Sequence, residues 1–300
     1  MKVNKFEGII PPMVTPLQKN GKLDVRGLEK LLNHLIEGGV NGLFILGTTG
    51  EGPSLSYHLR EELIKRVCRQ VDGRVPVLVG ISDSSYDQSV YIAEKSREYG
   101  AEAVVAAPPF YLQITQEELY RHMQQLVNEV SLPVFLYNYP GLTKTHFGLD
   151  TLAKLLELPG VIGVKDSSGD MDYFNRVRQL VNNKGLPLLI GPEELLMKSL
   201  VMGGQGGVSG GANIFPELYV GLYKNIQEGN LDEASKLHER IMKLSSVVYS
   251  GSDNSSGNVI SGIKKALSCL NVCEEYVEKP LMKVSDEKAG KIKQFLSEYA

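Results

Sequence analysis

Lys165 closes the run VIGVKD (Val161–Asp166), where it follows four residues without charge. Lysine is seldom buried without a partner. Where it is, lost hydration lowers its pKa and frees the amine to attack a carbonyl. The plainer alternative is a strand ending at the surface, with Lys165 and Asp166 in water. Tyr137 and Tyr139, in LYNYP (Leu136–Pro140), lie two apart, so an extended chain points both to one side. Pro140 then stops the strand. A phenol both donates and accepts, so in a polar cavity it can relay a proton. Two core aromatics bonded to nearby carbonyls would read the same way. In GTTGEGPS, Thr48 and Thr49 stand between Gly47 and Gly50. Such a turn offers N–H groups and hydroxyls to a carboxylate. It also reads as a strand-to-helix turn capped by Ser54 or Ser56. QGGVSGGAN (Gln205–Asn213) could bind an anion or simply turn a tight barrel corner.

A competing chemistry lies in the same segment. GVSGG (Gly207–Gly211) fits the nucleophile elbow of serine hydrolases, with Ser209 as nucleophile. That arrangement needs an acid and then a histidine downstream. His238 alone follows, in the helical stretch LDEASKLHERIM, and a chance match is easy in so Gly-rich a segment. The five histidines, His34, His58, His122, His146 and His238, are scattered, and no C-x-x-C occurs. Cys269 and Cys273 lie four apart near a predicted helix end, where packing is their simplest role. There is no P-loop. The sequence therefore predicts no metal site and no cofactor.

Short apolar runs alternate with amphipathic stretches. The runs are Gly8–Pro16, Val40–Gly47, Val75–Gly80, Ala101–Pro109, Leu132–Pro140, Gly160–Asp166, Leu186–Gly191 and Gln205–Gly211. Between them, Val25–Gly39, Leu59–Val71, Ser84–Gly100, Gln116–Val130, Leu149–Gly160, Met171–Asn183 and Glu193–Gly204 read as helices. The strands lack period-two alternation, as expected when both faces are covered. Eight such units in about 210 residues predict a (β/α)8 barrel, with chemistry at the C-terminal ends of the strands. An open doubly wound sheet would carry an early G-x-G-x-x-G, which is absent. From about Pro216 the pattern is helical only. The predicted division is a barrel of residues 1–226 and a small C-terminal helical domain, 227–300, with a polar loop at Ser250–Asn258.

The chain has 300 residues, 42% hydrophobic and 22% charged, with a net charge of −3. That composition suits a globular chain with a sizeable core and excludes disordered, collagen-like and disulfide-stapled classes. A chain of this charge has no bulk field for a polyanion, so no nucleic-acid partner is expected. Three cysteines suit a reducing compartment. MKVNKFEGIIPPMVTP has no leader-like apolar core, and no run reaches the roughly 18 apolar residues of a membrane span. The predicted location is the cytoplasm, with no membrane partner.

Together, Gly47-Thr48-Thr49-Gly50-Glu51, Tyr137-Asn138-Tyr139-Pro140 and Gly163-Val164-Lys165-Asp166 resemble the dihydrodipicolinate synthase/N-acetylneuraminate lyase family. The resemblance covers nearly the whole chain. It implies a (β/α)8 barrel with a C-terminal helical domain, usually a homotetramer built as a dimer of dimers, and a class I aldolase that uses pyruvate through a lysine imine. By that resemblance Lys165 forms the Schiff base and Tyr137 shuttles protons. Thr48 and Thr49 bind the pyruvate carboxylate and hold Tyr137. Ser167 stands near the substrate, and Gly191 and Val208 offer backbone groups. Tyr111, in PPFYLQ, matches an aromatic that synthases insert across a subunit interface.

Departures from the pattern sort the subfamilies. Lysine-pathway synthases carry an arginine two residues after the strand-five proline, and here that residue is Leu142, which cannot bind a carboxylate. The family's lysine-feedback positions hold Tyr57, Arg60 and Gln88. Sialate lyases have a G-x-D-E-like segment, which Gly191-Pro192-Glu193-Glu194 matches in part. YNYP and GTTG-x-GPSLS look most like 2-keto-3-deoxygluconate aldolases, where the second tyrosine, here Tyr139, meets the sugar-acid chain. The expected partners are pyruvate and a small aldehyde or 2-keto acid. The favoured reading is an aldolase of 2-keto-3-deoxy sugar acids. The alternatives are 4-hydroxy-tetrahydrodipicolinate synthase, N-acetylneuraminate lyase and a keto-acid-binding paralogue without catalysis.

Overall fold

The computed structural model describes residues 3–251 and 256–299. Eight strands form the interior: β1 (Gly8–Ile9), β2 (Leu43–Ile45), β3 (Val77–Gly80), β4 (Ala103–Ala106), β5 (Val134–Asn138), β6 (Val161–Asp166), β7 (Leu188–Ile190) and β8 (Gly206–Gly207). Every pairing is parallel, and consecutive strands are neighbours from β2 to β8, with β8 paired to β1. A parallel bridge between Pro12 and Phe44 completes the ring. There the Phe44 N–H donates to the Pro11 carbonyl at 3.0 Å, and the Met13 N–H to the Phe44 carbonyl at 2.9 Å. The fold is a closed (β/α)8 barrel followed by C-terminal helices.

Strand alternation explains the uniform apolar runs. Ala103, Val105, Phe135 and Tyr137 face the barrel interior, while Val104, Ala106, Val134 and Leu136 pack under the outer helices. Both faces are dry, so the sequence shows no polar face. Phe6 fills the interior from the N-terminal side, edge-on to Phe135 at 5.6 Å.

The outer helices are α1 (Val25–Glu37), α2 (Tyr57–Val71), α3 (Tyr86–Glu98), α4 (Gln116–Glu129), the one-turn α5 (Pro140–Thr143), α6 (Leu149–Leu155), α7 (Met171–Asn182), α8 (Leu196–Val201) and α9 (Pro216–Gln227). Their starts follow side-chain capping: Asp24 accepts from Gly27, Ser56 from Leu59, and Thr115 closes a capping box with Glu118. In α1 the stripe Leu28, Leu31, Leu32 and Leu35 is buried and is spaced to bind one face to the barrel. After α9 come α10 (Leu231–Val248), α11 (Ser256–Cys269) and α12 (Asp286–Tyr299). No described helix is long and apolar enough to cross a membrane.

Several boundaries differ from expectation. The run Gly8–Pro16 yields two strand residues and the Pro12 bridge, because its prolines lack the N–H a ladder needs. Gln205–Gly211 yields Gly206–Gly207, after which Gly210–Asn213 turns into a 3-10 helix. Pro140 ends β5 but also opens α5 as its first residue, a position where a missing N–H costs nothing. The polar loop placed at Ser250–Asn258 is shorter, since α11 starts at Ser256. Residues 252–255 lie outside the described residues.

Candidate active site

Lys165 and Tyr137 are register partners on β6 and β5, and Asn138 and Asp166 are the next pair. Alternation sends the first pair inward and the second outward. On the outer face the Asn138 amide donates to Asp166 at 2.8 Å, and the Ser168 hydroxyl donates to the same carboxylate at 2.9 Å. Asn138 also accepts from the Phe147 N–H at 3.1 Å. These bonds lock the strand ends that carry the inward pair.

Lys165 is 5% exposed, so the reading of a water-facing Lys–Asp pair is excluded. Its Nζ lies 3.9 Å from the centre of the Tyr137 ring and 4.8 Å from that of Phe44. Burial pulls its pKa down to about 7. Ordinary lysine holds its proton to about 10.4, so at neutral pH the shift raises the reactive amine from a trace to about half. Burial drives the Tyr137 phenol up, only partly opposed by hydrogen bonds with Ser167 and Thr48. Tyr137 thus stays protonated and is wired to two hydroxyls.

Above these groups opens a cavity of about 430 Å³. It brings together eight of the residues singled out in the sequence: Thr48, Thr49, Tyr137, Tyr139, Lys165, Ser167, Gly191 and Val208. The rings of Tyr137 and Tyr139 lie 5.8 Å apart and, with Thr48, also wall a smaller apolar pocket of about 180 Å³ that reaches Phe110 and Leu142. Gly191 sits against Ser167: a Cβ there would collide with Ser167 Oγ, the group bonded to Tyr137. Lys165 is the one cation among the described residues lining either space.

Tyr111 is not brought into this cavity. It is 93% exposed with φ +81°, a backbone conformation uncommon for a residue with a side chain. Ser209 is fully buried, and its hydroxyl has no hydrogen-bond partner among the described residues. An elbow serine must stand exposed beside its base, so the hydrolase reading is overturned.

Sequence reasoning missed part of the wall. Phe44 packs beneath the amine, yet in the sequence it is one apolar residue of a buried run. Tyr249, Val259 and Ile260 come from the C-terminal helical region, and helical periodicity does not mark them. Glu193 was visible only as a partial motif. Its buried carboxylate accepts from the Gly211 N–H and from the Tyr219 and Tyr249 hydroxyls, each at 2.9 Å, and from the Ser245 hydroxyl. Burial raises its pKa. Its lone pairs are thereby spent on tying the β7 end to the C-terminal helices, while Glu194 remains exposed at the cavity edge.

Comparison with known proteins agrees with this geometry. The dihydrodipicolinate synthetase family model matches residues 5–299. The chain is 32% identical to the probable 2-dehydro-3-deoxy-D-pentonate aldolase YjhH of Escherichia coli K12, over 97% of this chain and 96% of that protein. It is also 32% identical to a 4-hydroxy-tetrahydrodipicolinate synthase of Thermodesulfovibrio yellowstonii, over 97% of each. Among solved structures, a dihydrodipicolinate synthase from Bacteroides thetaiotaomicron superposes with a TM-score of 0.93 at 46% identity, covering 97% of this chain and 98% of that one. With its barrel, its buried lysine and these matches along nearly its full length, the chain belongs to the dihydrodipicolinate synthetase family.

Proposed function

We infer that this protein is a carbon–carbon lyase, a class I aldolase that joins or separates pyruvate and an aldehyde through an imine on Lys165, and that its substrate is a 2-keto-3-deoxy sugar acid. The observation that carries the reading is the Lys165 amine, buried with its pKa near 7 against the ring of Tyr137. The neutral amine adds to the C2 carbonyl of the keto acid, and water leaves. The protonated imine then draws in the electron pair of the C3–C4 bond as that bond breaks. The C4 hydroxyl loses its proton, the aldehyde departs, and an enamine remains. Protonation at C3 and hydrolysis of the imine return pyruvate and the free amine. Tyr137, hydrogen-bonded to Thr48 and Ser167, is the group in reach to move these protons. Thr48 and Thr49 receive the carboxylate, Tyr139 meets the chain beyond C4, and Gly191 and Val208 offer backbone groups.

The lining supports a neutral distal chain. Lys165 is the one cation among its described residues, and Leu142 walls the adjoining pocket. Aspartate semialdehyde would bring a second carboxylate with no cation to meet it. The 46% identity with the Bacteroides thetaiotaomicron synthase favours the second reading, a 4-hydroxy-tetrahydrodipicolinate synthase. Assembly as a homotetramer, a dimer of dimers, belongs to the proposal. Exposed Tyr111, held at positive φ, supports a role against another copy, and sedimentation as a monomer alone would remove that part. A cytoplasmic location fits the unpaired Cys68, Cys269 and Cys273.

The test is borohydride reduction with pyruvate, read by peptide mass spectrometry. The expected result is a stable adduct on Lys165; folded protein with no adduct would leave the keto-acid-binding paralogue. Rates with glycolaldehyde and glyceraldehyde against aspartate semialdehyde then decide the substrate. Faster condensation with the semialdehyde would install the synthase reading.

A further inference from the structure

The turn that carries Thr48 and Thr49 is held from outside the barrel. Glu51, one residue past that Gly-Thr-Thr-Gly turn, takes a left-handed conformation, φ +59°, rare for a residue with a Cβ. Its N–H donates to the Thr48 carbonyl at 3.0 Å. Its carboxylate runs away from the cavity and forms an ion pair with Lys264 of α11, both side chains fully buried. Lys264 also donates to the Tyr276 carbonyl at 2.7 Å, and Glu51 accepts from the Glu278 N–H at 2.6 Å. On the other side Thr15 donates to the Gly50 carbonyl at 2.6 Å. Gly52 lets the chain fold back hard on itself, since a Cβ there would strike the Leu46 carbonyl. The turn is thus clamped between the barrel and the C-terminal helices, with Glu51 as its charged anchor on the helical side.

We propose that the Glu51–Lys264 ion pair is a positioning device for the substrate carboxylate. It holds Thr48 and Thr49 in the geometry that receives the carboxylate, so α11 sets the affinity for the 2-keto acid without touching it. An exposed pair would add little. A pair removed from water, whose carboxylate is joined to a strained turn, fixes one conformation of that turn. Glu51 and Lys264 are positioning residues, because neither lies in the cavity lining. The inference rests on the assignment of the Thr48–Thr49 turn to a carboxylate.

Borohydride trapping on Lys165 with two carbonyl probes tests it, pyruvate and hydroxyacetone. Both form an imine, but only pyruvate carries a carboxylate. Wild-type enzyme that traps pyruvate no better than hydroxyacetone would overturn the assignment of the turn itself, before any variant is made. Given that preference, Lys264→Met and the double variant Glu51→Gln/Lys264→Met are compared. The double variant leaves no charge buried alone. The expected result is a rise of about tenfold or more in half-saturating pyruvate, with trapping of hydroxyacetone and the rate at saturating pyruvate little changed. Equal losses with both probes, no loss with either, or a double variant that does not fold would overturn the proposal. The pair would then hold the helices to the barrel and nothing more.

Discussion

Lys165 and Lys264 are both buried, and their surroundings are opposite. Lys165 lies among aromatic rings, and no carboxylate pairs with it among the described residues. Lys264 faces Glu51 and a backbone carbonyl. Burial lowers the pKa of both, and Glu51 opposes the shift at Lys264. In the proposed mechanism the missing partner at Lys165 leaves its amine free to lose its proton near neutrality and to add to a carbonyl.

The largest effect expected is at Lys165. Lys165→Ala abolishes turnover and covalent trapping while circular dichroism stays that of the folded chain; residual trapping at another lysine would break the contrast. Tyr137→Phe slows turnover by about 10²–10⁴, and a near-normal rate would remove the phenol from the mechanism. At the paired site the loss is in stability. Lys264→Met strands the Glu51 carboxylate, and denaturant titration should show a loss of about 3–5 kcal/mol.

Lys165→Met should have the opposite sign. In the unfolded chain Lys165 keeps its proton to about 10.5, and in the folded chain it yields it near 7. The unfolded state therefore binds the extra proton between those values, so burying Lys165 costs most stability below pH 7, and the cost fades as pH climbs to 10.5. The variant is expected to gain a few kcal/mol at pH 7, with the gain shrinking toward pH 10; a pH-independent gain would refute the shift. The smallest effect concerns free L-lysine, which is expected to leave the rate unchanged. Arg60 already binds Asp83 at 2.7 Å, and the Tyr57 hydroxyl donates to that carboxylate. Inhibition at modest concentration would return the synthase reading to first place.

Much of this site is legible in the sequence because strand ends in a parallel barrel are consecutive in chain and space. Lys165 and Tyr137 stand out as polar residues closing apolar runs, and pairing of neighbouring strands brings them face to face. Glu51 and Lys264 are different. Glu51 closes the motif Gly47–Glu51 with no partner indicated and Lys264 lies in a helical stretch far along the chain, and their meeting depends on how α11 packs over the barrel. Tyr249 and Ile260 escape for the same reason. Local pattern fixes which face of a helix is buried, but not which of its residues reach across to another element's cavity. Tyr111 shows the converse, since its motif is plain in the sequence but one chain by itself leaves it in solvent.

Gly191 carries a consequence for how such an enzyme changes over generations. Any side chain there would displace Ser167, and through it the hydrogen bond that steadies Tyr137. At this position a single methyl group is enough to disturb the chemistry. On the far side of the cavity Tyr249 is itself tied to Glu193 through its hydroxyl, whereas Val259 and Ile260 contribute apolar side chains of α11 to the lining. Descent with altered substrate preference would run through Val259 and Ile260, between the fixed points of Tyr249 on Glu193 and Lys264 on Glu51, leaving the imine chemistry inherited intact.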